Sequence, residues 1–67
     1  MRIDRAKLKY ELARRDMQQN RLSELTGISR ATLSAIAGGK SCAPQTAGKI
    51  ARALDMPVEH LIAQDGA

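Results

Sequence analysis

Among the side chains able to do chemistry, this sequence is richest in cations, and cations without a catalytic partner attract phosphate. Lys and Arg number 11 against 7 Asp and Glu in 67 residues, a formal net charge of +4. The excess lies in the first half: residues 1–30 carry 8 basic and 4 acidic side chains, and residues 31–67 carry 3 of each. A one-sided basic surface strengthens encounter with polyanions. Charge alone fits a plain solvated helical surface equally well. The parts needed for catalysis are missing. Cys42 has no Cys or His at ligand spacing, which supports neither zinc nor a catalytic thiol, and His60 reads as a surface residue. No Gly-rich phosphate loop, carboxylate pair or nucleophile beside a base is visible, so the expectation is a protein that is no enzyme and uses no metal or cofactor. Tyr10 is the one aromatic residue, which leaves no platform for stacking single-stranded bases.

Length and composition bound what can position these groups. Residues 1–67 make one domain, and a chain this short buries only about 60% of the surface its unfolded form exposes. The single cysteine allows no intrachain disulfide and suits a reducing compartment. No apolar run approaches the roughly 18 residues of a membrane span, and Met1-Arg2-Ile3-Asp4-Arg5 does not open a secretory signal. A soluble, cytoplasmic protein with no membrane partner is expected.

Helical spacing recurs along the chain. Over about 4–15, Leu8 and Leu12 lie four apart with Ala13 beside them, behind a possible cap at Asp4. From about 18 to 26, Leu22 and Leu25 are three apart and Gly27 provides a stop. Ser29 can cap a third helix that carries Leu33 and Ile36 and ends at Gly38-Gly39. Pro44 suits the first turn of a fourth, in which Ala47, Ile50, Ala51 and Leu54 follow the i, i+3, i+4, i+7 rule. Beyond Pro57, residues Val58, Leu61 and Ile62 predict a short last helix. Met17 and Met56 read as core filler at helix boundaries, and Gln64 to Ala67 are expected to fray. The architecture predicted is all-α, with five helices around one core.

The informative stretch is QQNRLSELTGISRATLSAIAGGK, residues 18–40, with a helix-turn-helix motif over about 18–37. Gly27 can take the left-handed conformation a tight turn needs. Leu22, Leu25, Ile28, Leu33 and Ile36 would lock the two helices at a fixed angle. That packing leaves Arg30, Ala31, Ser34 and Ala35, on the helix of about 29–37, free to enter a major groove.

Here the sequence resembles the phage-repressor and Cro family of helix-turn-helix regulators, also called the XRE family. The family's pattern of Gln, Leu-Ala, Gly, a hydrophobic residue and Ser or Thr reads Gln19, Leu22-Ser23, Gly27, Ile28 and Ser29 in this chain. Its Gly-Lys loop, proline, Ile-Ala…Leu helix and terminal Leu match Gly39-Lys40, Pro44, Ile50-Ala51, Leu54 and Leu61, without a gap over about residues 8–62. The resemblance implies a lambda-repressor-like fold. Two departures stand out. A buried Arg and Glu common in the family are replaced by Leu12 and Ala37. Exchanging both charges for apolar groups can be neutral or stabilising, which predicts that Leu12 approaches Ala37. Asp55 stands where a helix-ending glycine is usual, a poorer cap.

The resemblance also implies roles. Gln19, helped by Gln18, would hold a phosphate at a helix N-terminus. Arg30 would read bases, its fork matching guanine O6 and N7, a pairing worth about 1–3 kcal/mol of discrimination; a phosphate contact or surface ion pair is the plainer alternative. Ser29 would cap and touch a phosphate or base, Ala31 and Ala35 would meet thymine methyls, and Ser34 reads either way. Lys40, Ser41, Gln45 and Thr46 would lie against the DNA backbone, where contacts set register without reading sequence. Arg2, Arg5, Lys7, Lys9, Arg14 and Arg15 would add general attraction. One long polar side chain among small ones makes a thin reading surface, so DNA shape would share in specificity. The function expected is a sequence-specific transcriptional regulator, a repressor acting on a double-stranded operator. It would work as a homodimer through the last helix at Val58, Leu61 and Ile62, since one domain covers a half-site. The alternative is a protein-interaction module such as an antitoxin-like partner.

Overall fold

Asp4 starts the first helix as expected, its Oδ1 accepting the Lys7 amide at 3.0 Å. The computed structural model describes residues 1–63; the fraying expected at 64–67 lies outside the described residues. Four α-helices follow in order: α1 (Arg5–Arg14), α2 (Gln19–Thr26), α3 (Arg30–Ala37) and α4 (Pro44–Ala53). The fifth helix is instead a single 3₁₀ turn, Val58–His60. The chain leaves the helical path there because the Leu61 carbonyl accepts the Asp4 amide at 2.9 Å and Ile62 forms an antiparallel bridge with Ile3.

One core holds these elements. α2 packs on α3 and α4, α1 on α3, and α4 on the 3₁₀ turn. Leu8, Leu22, Leu33, Ile36, Ile50, Leu54 and Leu61 are fully buried, joined by Ile3 from ahead of α1. Each such side chain contributes about 1.5–3 kcal/mol by leaving water. Met17, Ile28 and Met56 pack against this cluster as partly buried filler. Leu12 and Ala37 are both buried in the same cluster. Leu25 does not lock the helices: it is 47% exposed. The inward sector of α2 runs through Leu22 and the half-buried Thr26, whose hydroxyl donates to the Leu22 carbonyl at 2.8 Å and accepts the Ile28 amide at 3.2 Å. Ala13 likewise faces solvent rather than the core.

The C-terminal ends of α1, α2 and α4 are closed by backbone hydrogen bonds. Gly27 takes φ +75° and ends α2, its amide reaching the Ser23 carbonyl. α1 and α4 end with Asp16 at φ +53° and Asp55 at φ +55°, left-handed positions normally given to glycine. In both, the following methionine amide reaches back five residues, Met17 to Leu12 and Met56 to Ala51. Arg15 adds a latch: its Nη2 donates to the Leu54 carbonyl at 2.6 Å, while Nη1 bonds the Glu11 carboxylate. Glu11 also accepts from Arg14 Nε at 3.0 Å. The hydrogen bonds from Arg15 and then Arg14 hold the Glu11 carboxyl below its ordinary pKa. Arg14 and Arg15, read from sequence as loose attraction for polyanions, are thus engaged with Glu11, and Arg15 also ties α1 to the end of α4.

Candidate nucleic-acid interface

The helix-turn-helix is built by short-range hydrogen bonds. Ser23 Oγ donates to the Ile28 carbonyl at 2.5 Å across the turn, and Ser29 Oγ caps α3 by accepting the Thr32 amide at 3.2 Å. The Ser29 hydroxyl also donates to Thr32 Oγ1 at 2.8 Å. A cap of this kind is worth about 1 kcal/mol. With Leu33, Ile36 and Ala37 buried, α3 turns Arg30, Ala31 and Ser34 fully outward and leaves Ala35 half-buried. The Arg30 side of the motif therefore faces solvent.

The other residues singled out from sequence lie around this helix. Gln18 is the exposed N-cap of α2 and makes no side-chain cap, so the positive end of that helix is left open beside the half-buried Gln19. Arg30 Nη1 lies 3.5 Å from Asn20 Oδ1, a contact weak enough to be exchanged for another partner. Asn20 therefore joins the surface. Sequence reasoning passed over it, although its place two residues after Gln18, in the first turn of the helix, was the available signal. On the other side of α3 a hollow of about 360 Å³ is lined by Ala31, Ala35, Lys40, Ser41 and Thr46, and also by Cys42. Gln45 is exposed in the first turn of α4, whose N-cap, Ala43, has no side-chain bond either. Lys40 and Ser41 are exposed in the loop between. Cys42 is a free, partly buried thiol. Among the described residues, no group of His, Cys, Asp or Glu could hold a metal ion, and no helix is long and apolar enough to cross a membrane.

A surface of small side chains, one guanidinium, a lysine loop and two open helix starts can receive a polyanion and let its backbone approach closely. The comparison with known families agrees. Residues 7–63 match the family of Cro/C1-type helix-turn-helix DNA-binding domains, and the chain belongs to it. This makes it a DNA-binding regulator of the helix-turn-helix class. No curated protein and no solved structure matches the chain.

Proposed function

We propose that the chain is a sequence-specific regulator that places α3 in the major groove of double-stranded DNA and represses by occupying an operator. The observation that carries this reading is the outward face of α3, Arg30, Ala31 and Ser34, flanked by the open start of α2 and the Lys40 loop. Arg30 reads a base, with Ala31, Ser34 and Ala35 close to the groove floor. Gln18, Gln19, Ser29, Lys40, Ser41, Gln45 and Thr46 contact the backbone. One such face covers a half-site, so two copies act together. Leu61, read from sequence as part of the dimer surface, is 0% exposed and belongs to the core of its own protomer. Val58 and Ile62 are partly exposed and remain available to a partner.

Fluorescence anisotropy with the DNA upstream of its own coding sequence tests the reading. Binding is expected below micromolar concentration, weakening by about one power of salt per neutralised phosphate. Arg30→Ala should cost about 1–3 kcal/mol on the preferred sequence and much less on scrambled DNA. Equal loss on both would make Arg30 a phosphate contact. A second reading, a module that covers a protein partner, is favoured by the exposed Leu25 beside Lys49 and Arg52. Stoichiometric co-purification with one protein, together with no salt-sensitive DNA binding, would select it.

A further inference from the structure

Residues Met1–Ile3 carry no motif, yet they run as an extended strap between two other parts of the molecule. Extended backbone points its hydrogen-bonding groups alternately to either side. On one side the Arg2 carbonyl accepts the Ala63 amide at 2.8 Å and the Asp4 amide donates to Leu61 at 2.9 Å. On the other, the Met1 carbonyl accepts the Cys42 amide at 2.7 Å and the Ser41 hydroxyl at 3.3 Å. Ile3, 2% exposed, pins the strap into the core.

We infer that this strap positions the DNA-backbone contact at Lys40, and that Ile3 is the positioning residue through which it acts. The inference rests on reading Lys40 as a phosphate contact. The Lys40 amide is tied back to α3 through the Ala35 carbonyl at 3.0 Å, just after Gly39 at φ +108°. The next two residues are tied to Met1 instead. The loop therefore keeps its shape only while α3 and the strap both hold it. A loop already ordered loses less freedom on binding. Loosening the strap should weaken DNA binding without removing any group that touches DNA.

The test is a pair of double-mutant cycles in the full chain, read by anisotropy on a mixed-sequence duplex of about 30 base pairs, because a phosphate contact is independent of sequence. In the unaltered background Lys40→Ala is expected to weaken binding about three- to tenfold and to lower the salt slope by about one. With Ile3→Ala present, Lys40→Ala should cost less than about twofold, while the cost of Gln19→Ala, a backbone contact away from the loop, stays unchanged. Ile3→Val should restore the full Lys40 effect. Hydrogen exchange at the Cys42 amide should quicken about tenfold in Ile3→Ala. Ala63→Pro removes one strap bond and leaves the core whole, so it should show the same pattern in smaller size even if Ile3→Ala does not fold. Multiplicative losses for Lys40 and the strap, or a Cys42 amide indifferent to both variants, would overturn the inference alone. Absence of salt-sensitive binding by the unaltered chain would remove the regulator reading and this inference together, with Cys42 exchange still showing whether the strap grips the loop.

Discussion

The starts of α2 and α3 belong to one motif and are built in opposite ways. At α3, Ser29 closes the first turn with its own hydroxyl, which accepts the Thr32 amide. At α2, Gln18 provides no such bond, and at α4 neither does Ala43. α1 resembles α3, closed by Asp4. The two closed starts set where helices begin. The two open ones coincide with Gln19, Gln45 and Thr46, the residues read as holding DNA phosphates. An unmade cap costs stability of about 0.5–2 kcal/mol, and on the proposed reading a DNA phosphate would supply that stabilisation at these two starts.

Three changes would break or sharpen this contrast. Gln18→Asp, which closes the open start with a carboxylate, should have the largest effect. Stability should rise by about 1 kcal/mol, while duplex affinity falls about tenfold because the new charge occupies the amides and repels phosphate. Denaturant melts and anisotropy should move in opposite directions; if both improve, the α2 start is no phosphate site. Ser29→Ala removes a closed start. It should cost about 1 kcal/mol, visible as a melting temperature about 4–8 °C lower. The smallest effect belongs to the latch away from the interface. Because the folded-state pKa of Glu11 is lowered, its stabilisation is present above the ordinary carboxylate pKa and is lost as pH falls through the lowered one. Glu11→Gln should be less stable than the unaltered chain at neutral pH, and the two urea midpoints should converge on acidification. A gap independent of pH would mean that the latch does not work through charge.

Much of this was legible in the residues. Local signals act over a few positions, so Asp4, Gly27, Ser29, Gly38-Gly39 and Pro44 marked helix ends that the structure keeps. The outward face of α3 followed from the spacing of Leu33 and Ile36. Leu25 was misjudged because a three-residue step fits either flank of the Leu22 stripe, and the position of α4 decides which flank is covered. The last helix was overcounted because three apolar residues after Pro57 suit a helix or a turn equally; pairing with the N-terminal strap settles it. The cap position of Asp55 was legible beside the resemblance, whereas that of Asp16 was not; both sit in left-handed backbone, with the following methionine amide bonded to the preceding helix.

Taken alone, the sequence determined the helical class, the hinge at Gly27 and the outward side of α3 around Arg30, because each depends on period, caps and composition within one or two turns. Only the tertiary structure decided that Arg15 reaches the end of α4, that Leu61 is spent on the core, and that Met1–Ile3 hold the Lys40 loop. Those contacts join residues about forty to sixty positions apart. Nothing in local spacing encodes such meetings; they follow from how the helices close around Ile3, Leu8, Ile50 and Leu54.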